Sequence, residues 1–445
     1  MSSRVTEVQG PIAGWGRVSV EGTERLGEDL LRITEGAQLS RGLGRSYGDS
    51  SLPAGGPVAN TTLADRIISF DPDSGILRAE AGLCLREMNR LFLPRGWFTP
   101  VTPGTAFVTL GGMVAADVHG KNHHSALTFG EHVAGLRMRV ADGSIVDCSP
   151  QQHSDLFDAT LGGMGLTGHI LEVAVRMRRV PSTWIWQQSE RVPNIHAYLE
   201  RLHATEADWP MSVGWIDCVS RGANMGRGIL NIGRWAEPHE APAGVPQPKG
   251  AITMPDIFPS ITINPLTVRA FNVLYYWKHV QQVKRGIVHP ETFFYPLDAI
   301  RHWNRVYGRA GMTQYQCVLP KEAGRDAPVK FLDLLSRLGG ASFLCVIKDC
   351  ADQGRGILSF PRPGVTVAVD VKITAGTQAL VNELNAFVID HGGRVYLAKD
   401  QFTSAADFRR MDPRLDRFLQ IRHTWDPNLT IRSAQSVRLF GDPPG

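Results

Sequence analysis

The chain has 445 residues, 43% of them hydrophobic and 20% charged, with 47 Lys and Arg against 43 Asp and Glu. That length exceeds one typical core, so two domains are expected, with the composition of an ordinary soluble globular protein. A net charge of +4 without a dense basic run or an RNA-binding aromatic signature argues against nucleic acid as a partner. No apolar run approaches the ~20 residues that span a bilayer. The segment from Met1 to Glu7 lacks the apolar core of a signal peptide, so a protein made and folded in the cytosol is expected.

In chain order, the first informative segment is Arg41-Gly42-Leu43-Gly44-Arg45-Ser46-Tyr47-Gly48-Asp49, which passes into a small-residue turn (Ser50, Ser51, Pro53, Gly55, Gly56). Glycine tolerates positive φ and admits a ligand to the main chain, so several N–H groups can converge on one point. A pyrophosphate-like anion is the natural occupant, with a plain surface turn as the alternative. No Gly-Lys-Ser/Thr follows, so this is not a Walker loop. Residues 83–93 read as a helix with Leu85, Met88, Leu91 and Phe92 on one face.

A second block runs from Pro103-Gly104-Thr105 to Gly111-Gly112-Met113-Val114-Ala115-Ala116-Asp117-Val118-His119-Gly120-Lys121-Asn122-His123-His124. Residues 133–140 then read as a strand ending in the turn Ala141-Asp142-Gly143. A third block, from Asp155 to Gly168, precedes a strand over 170–177. Gly163-x-Gly165-x-x-Gly168 matches the dinucleotide fingerprint as text. A helix precedes it and a strand follows, however, the reverse of a Rossmann NAD site. His119 and His123 invite a metal reading, but Gly120 and Asn122 disfavour the helix that would aim both at one ion. No carboxylate or cysteine completes a ligand set, so no metal is expected. The cysteines (Cys84, Cys148, Cys218, Cys317, Cys345, Cys350) form no C-x-x-C pair and read as buried free thiols.

Pro181 marks a change of character, with tryptophans recurring from Trp184 to Trp303. Residues 237–265 carry Pro238, Pro242, Pro246, Pro248, Pro255, Pro259 and Pro265, and read as a long mobile loop, either a linker or a lid. Tyr275-Tyr276-Trp277-Lys278-His279 and Lys284-Arg285 read as core aromatics with solvated charges, or as contact with a membrane surface. Gln314 and Gln316 alternate along one strand, which puts both side chains on one face. Farther on come a helix over 331–338, strands over 342–347 and 366–373, a helix over 377–390, and a Gly392-Gly393 turn into Arg394-Val395-Tyr396-Leu397-Ala398-Lys399-Asp400.

Taken in order, the three glycine blocks resemble the vanillyl-alcohol-oxidase type of FAD domain. The resemblance implies a two-domain α+β fold with an FAD-binding domain of PCMH type over 1–183. That domain is completed by 394–445, which contains Arg422-His423-Thr424-Trp425-Asp426-Pro427, and a mixed-sheet substrate domain occupies 184–393. It implies that Arg41, Gly42, Leu43, Gly44, Arg45, Ser46, Tyr47 and Gly48 hold the FAD pyrophosphate. Gly104, Gly111, Gly112, Asp117, His119, Gly120, Asn122, Gly165, Gly168, Ile170 and Tyr396 are implied along the rest of the cofactor. Relatives with a covalent flavin carry histidine in this first loop where Arg45 stands here, so the FAD is expected to be non-covalent.

The resemblance narrows on longer strings: Arg45-Ser46-Tyr47-Gly48-Asp49, His119 to His124, Tyr295-Pro296-Leu297-Asp298, Trp303-Asn304-Arg305, Gln314-Tyr315-Gln316, Leu358-Ser359-Phe360-Pro361 and Tyr396 to Asp400. These look like the polyprenylphosphoryl-ribose 2′-oxidases, flavin subunits of two-protein epimerases in cell-envelope arabinan synthesis. The resemblance implies oxidation of the 2′-hydroxyl of a polyprenyl-phosphate ribose to a ketone, and an NAD(P)H-dependent short-chain reductase partner that returns hydride from the other face. A lipid substrate in turn implies work at the membrane surface without a spanning helix, so a cytoplasmic protein or one peripheral at the membrane is expected. Lys399, His119 and Tyr47 match catalytic positions; Lys121, Trp215, Tyr295, Gln314, Gln316, Lys348, Thr366 and Ala368 match substrate positions.

Within that set, Lys121 and Lys348 suit a phosphate, and the two glutamines suit sugar hydroxyls. Lys399 would hold negative charge on a reduced flavin or, desolvated, act as a base; a salt bridge with Asp400 is the alternative. Two positions depart from the pattern. Ala368 stands where mycobacterial relatives have an inhibitor-reactive cysteine, and Thr366 replaces an asparagine. They leave open an oxidase of a soluble sugar, nucleoside, alditol or aldonolactone; against a flavin-fold protein that only scaffolds the reductase stand the retained Lys399, His119 and Tyr47.

Overall fold

The computed structural model describes residues 4–247, 250–256 and 263–444. Three sheets of four or more strands carry the architecture. The N-terminal one is mixed: Thr6–Ala13 and Ser19–Leu26 form an antiparallel hairpin, and Val58–Asn60 and Leu39–Arg41 add in parallel. The second has five antiparallel strands in the order Ile67–Asp71, Ile76–Glu80, His169–Arg176, Val133–Arg139, Ile145–Cys148. Alternation puts Val173 and Val175 on one face of their strand, where they share a core with Leu77, Ala79, Leu136 and Met138. The helix Leu85–Phe92 closes that core with Leu85, Met88 and Phe92, one helical stripe.

The third sheet has eight strands, ordered Val283–Val288, Ile185–Val192, Gly228–Trp235, Met211–Ile216, Cys345–Cys350, Gly364–Lys372, Met312–Pro320, Arg394–Val395, and it pairs antiparallel throughout. Its strand Met312–Pro320 is buried along its whole length. The helices Ala327–Arg337 and Thr377–Asp390 account for one face: Tyr315 stacks on Phe331 and donates to Asn385 Oδ1 at 2.9 Å. Gln314 and Gln316 therefore point the other way, into a cavity.

The last helices, Ala405–Met411, Leu415–Trp425 and Ala434–Phe440, fold back onto the third glycine block. Arg422, fully buried, makes a two-pronged pair with Asp442 at 2.8 and 2.6 Å and also donates to Leu166 O and Ile431 O. A buried guanidinium satisfied on every side fixes this return strongly, because losing one partner would leave an uncompensated charge.

The proline-rich stretch departs from the expected loop where it is described. Ile252–Thr253 pairs in parallel with Ile300–Arg301. Pro265 opens the helix Pro265–Trp277, where its missing N–H costs nothing and Asn264 caps the N–H groups of Leu266 and Thr267. The expectation of a mobile segment at 248–249 and 257–262 lies outside the described residues. The strand expected over 342–347 begins only at Cys345, because Ser342 ties itself to Leu344 in a local turn. All six cysteines are free, and every one but Cys84 is buried. Among the described residues no helix is long and apolar enough to cross a membrane.

Candidate active site

A cavity of 1240 Å³ lies between the glycine-rich loops and the large sheet. Single-ligand sites usually measure about 300–1,000 Å³, so this one has room for a large cofactor and a second ligand. One wall is the first loop. The main-chain N–H groups from Gly42 to Ser46 donate to no protein acceptor among the described residues. Arg41 shapes the loop, donating to Ala13 O at 2.6 Å and to Ser51 O and Oγ at 3.1 and 2.9 Å. Arg45 lies over the Trp15 ring at 4.2 Å and donates to Phe107 O.

At Gly42 a Cβ would strike Thr109 Oγ1, the atom that caps the helix Leu110–Ala115 through Gly112 N–H at 3.2 Å. Only glycine fits there. Farther along the wall, Cβ positions built on Gly104 and Gly165 meet nothing within 4 Å, so both leave open space for a ligand. A run of unsatisfied donors beside open main chain is what a pyrophosphate with a flat ring system needs. The residues present fit FAD.

The opposite end of the cavity carries the ionisable groups. The first loop is held to the segment after Arg394–Val395 by Tyr47 N–H donating to Ala398 O at 2.9 Å. Arg438 reinforces this junction by binding both Asp49 oxygens at 2.8 Å and Asp400 at 2.9 Å. Asp400 is thus committed to Arg438, and the salt bridge considered for Lys399 is not formed. The Lys399 ammonium sits over the Tyr47 ring, 3.8 Å from its centroid. Burial pushes Lys399 down to about 7, opposed by the nearby Asp370 charge and aided by Lys348.

His119 faces Lys348, with Nδ1 to Nζ at 2.6 Å, and its Nε2 lies 3.2 Å from the Gln316 amide. Burial and the neighbouring Lys348 hold His119 well below the ordinary histidine range, so the ring is neutral. Lys348 is itself pushed down to about 8 by burial, and also donates to Gly120 O. Lys121 donates to the carbonyls of Phe293 and Phe294, and burial lowers it to about 7. Both lysines assigned to a phosphate are therefore already tied to protein groups. Thr366 accepts from Gln316 Nε2 at 3.3 Å while donating to Cys317 O at 2.8 Å. Ala368 and Trp215 complete this wall, and Tyr396, anchored by its hydroxyl to Ala116 O, packs beside His119.

Most of the residues singled out in the sequence line this cavity: Arg41 to Tyr47, Gly104, Gly111, Gly112, His119, Gly120, Lys121, Gly165, Gly168, Ile170, Trp215, Gln314, Gln316, Lys348, Thr366, Ala368, Tyr396 and Lys399. Four stand behind its wall. Gly48 is packed so closely on the Asp400 carbonyl that a Cβ would overlap it. Asp117 accepts from Gly130 N–H at 2.8 Å, and Asn122 donates to Pro100 O at 2.8 Å. Tyr295 shares its hydroxyl with Asn89 and Thr102 in the neighbouring core. His123 and His124 turn away to Ala351 N–H and Trp209 O, on a single helical turn, His123–Ala126, that starts just past Asn122.

One buried acid beside the site was not singled out in the sequence. Asp370, 1% exposed, accepts from Gln314 Nε2 at 2.5 Å and Tyr307 OH at 3.2 Å, and burial raises it to about 7. It stands on the same strand face as Thr366 and Ala368, directly across from Gln314. Period-two counting from those two residues would have found it.

This fold and site define an FAD-dependent oxidoreductase, and the FAD binding domain family matches residues 33–149. The chain is 35% identical over 450 residues to decaprenylphosphoryl-β-D-ribose oxidase of Mycolicibacterium smegmatis, covering 96% of this chain and 97% of the relative. It is 30% identical over 373 residues to an uncharacterized protein of Streptomyces coelicolor, covering 80% of this chain and all of the relative. A D-arabinono-1,4-lactone oxidase of Neurospora crassa is 28% identical over only 161 residues, 36% of this chain and 28% of the relative. The chain belongs to the decaprenylphosphoryl-β-D-ribose oxidase family.

Proposed function

We propose that this protein oxidises the 2′-hydroxyl of a polyprenyl-phosphate ribose to the 2′-ketone, the first half of a ribose-to-arabinose epimerisation for cell-envelope glycan synthesis. The observation that carries the reading is the full-length likeness to the mycolicibacterial oxidase. It runs through the large sheet that supplies Gln314, Gln316, Lys348 and Thr366, whereas the likeness to the lactone oxidase covers about a third of the chain. On this reading residues 1–183 and 394–445 form the FAD-binding domain and 184–393 the substrate domain.

Bound FAD, held non-covalently because Arg45 cannot form the histidyl bond, supplies the acceptor for the hydride of the carbinol carbon. The chain's own residues do the rest. Lys399, largely desolvated and free of a carboxylate contact, takes the hydroxyl proton as a neutral amine, and Asp370 tunes its charge. Tyr47 supports the amine with its ring face. Neutral His119, held by Lys348, and Gln316 orient the sugar, and the third N–H of each of Lys121 and Lys348 meets the phosphate. The keto sugar passes to an NAD(P)H-dependent short-chain reductase, and a lipid substrate brings the protein to a membrane surface.

Steady-state turnover of farnesylphosphoryl-β-D-ribofuranose against ribitol and arabinono-1,4-lactone tests the reading. It predicts kcat/KM at least about a hundredfold higher for the lipid phosphate, since unpaired buried polar groups penalise the wrong ligand. Comparable turnover of a soluble polyol or lactone would overturn it.

A further inference from the structure

We propose that the outward face of the Pro265–Trp277 helix, continued through Val280 and the edge strand Val283–Val288, docks on an anionic lipid bilayer at the mouth of the active-site cavity. The role of that docking, delivery of a polyprenyl tail straight from the membrane, rests on the lipid-phosphate reading above; the docking itself does not.

Three observations carry it. First, the most exposed large apolar side chains of the described residues are Val280 (84%), Leu266 (80%), Ile252 (75%), Leu274 (72%) and Trp277 (55%). All but Ile252 fall within residues 266–280, and Leu266, Leu274 and Trp277 follow one stripe of the helix at spacings of eight and three. The opposite side of the same helix, Val268, Asn272 and Tyr276, is buried. Such a helix is amphipathic with its apolar stripe facing outward, the pattern of one lying in an interface.

Second, the charge is one-sided. From Ile263 to Val288 the chain holds Arg269, Lys278, Lys284 and Arg285 and no Asp or Glu. Arg191 braces this end of the helix, stacked on Trp277 at 4.3 Å and bonded to His279 O. The acid across from this edge strand, Glu190 opposite Val283, is engaged by Arg201 at 2.8 Å, so the exposed cations of the stretch suit an anionic leaflet, which attracts each Lys or Arg near its surface. A protein partner would more often meet a rim of mixed sign.

Third, the patch is continuous with the cavity mouth. Thr267 and Phe271 are exposed and at the same time line the cavity, and Val268, Tyr275 and His279 line it deeper. Ile300 and Arg301, also exposed, form the facing lip. One helix thus presents one flank to solvent as an apolar surface and the next to the entrance of the site. A tail embedded in the bilayer reaches the cavity along Phe271 without crossing water.

The test uses full-length protein with FAD bound, and the variant Leu266→Glu/Leu274→Glu/Val280→Glu, none of whose positions lines the cavity. Co-sedimentation with phosphatidylcholine vesicles containing a quarter phosphatidylglycerol is compared with pure phosphatidylcholine. Wild type is expected to bind the anionic vesicles roughly tenfold better, with binding that falls as salt rises. The variant is expected to lose about 30-fold or more of that partition. It keeps its flavin spectrum and its turnover of dispersed farnesylphosphoryl ribose, while turnover of a decaprenyl substrate in vesicles falls about tenfold.

Wild type that ignores anionic vesicles, or a variant that binds them equally, overturns the docking. Wild type that ignores vesicles while the variant loses coupling to the reductase assigns the face to a protein partner, which also overturns it. Vesicle binding abolished by the variant, in a protein that oxidises no ribose lipid in any form, supports the docking and removes the oxidase reading instead.

Discussion

Replacing Lys399 by methionine separates what this lysine costs the fold from what it gives the reaction. In the folded chain it is lowered from 10.5 to about 7, chiefly by burial. Its ammonium has the Tyr47 ring beside it and no protein hydrogen-bond acceptor among the described residues. At pH 8 the unfolded chain holds this proton and the folded chain has released it. Keeping an ordinary lysine neutral at that pH costs about 3 kcal/mol. Part of the side chain opens on the cavity, where water screens the penalty, so Lys399→Met is expected to stabilise by about 1–2 kcal/mol at pH 8.

The pH dependence has a definite sign. Between about 7 and 10.5 the unfolded chain binds the extra proton, so wild-type stability rises with pH across that window. The variant's advantage is largest below pH 7 and fades toward pH 10. Wild-type catalysis rises with pH as well. A base centred near 7 gives wild type a kcat/KM that climbs about tenfold from pH 6 to pH 8, and the variant loses that limb together with about 10²–10⁴ in rate. Thermal unfolding of the flavin-loaded proteins from pH 6.5 to 10, with kcat/KM over the same range, reads both effects. A variant less stable than wild type at pH 8, or one that keeps the ascending limb, would refute the reasoning.

Other outcomes follow from neighbouring residues. Asp370→Asn removes the negative charge that holds Lys399 up, so the ascending limb of kcat/KM is expected to move about one unit toward acid, read from the pH–rate profile. Gly42→Ala pushes on Thr109 Oγ1 and disturbs the cap over Gly112; FAD affinity is expected to fall about tenfold by fluorescence titration, the weight of one lost cap. Denaturing the holoprotein in acid is expected to release all the flavin into the supernatant, because Arg45 replaces the attachment histidine. Nitroaromatic inhibitors that capture the relatives' cysteine should form no adduct with this chain, and Ala368→Cys, on the cavity wall, should restore one detectable by intact-protein mass.

How far the sequence spoke depended on what kind of signal each residue carried. Periodicity was reliable: the helix Thr377–Asp390 has the bounds expected of it, and the alternation of Gln314 and Gln316 puts both in the cavity. Proline misled, because Pro265 looks like a breaker yet serves as the first residue of a helix, and only its partnership with the Asn264 cap reveals the difference. Motif likeness brought Asp117, Asn122 and Gly48 to the right loops but could not say which side of the main chain each faces; all three hold the wall from behind. Lys121 was legible as a cation, while its capture by the Phe293 and Phe294 carbonyls depends on a contact some 170 residues away in sequence. Asp370 was legible in principle, since it continues the face of Thr366 and Ala368. Its chemistry comes from burial against Tyr307 and Gln314, which no local pattern encodes.

The most direct test of the central claim is an anaerobic titration of the flavin-loaded protein with farnesylphosphoryl-β-D-ribofuranose, followed by mass analysis of the sugar. The account predicts loss of the oxidised flavin band in step with a product two hydrogens lighter at the 2′-position. A band that persists with this substrate but bleaches with ribitol or an aldonolactone would contradict it.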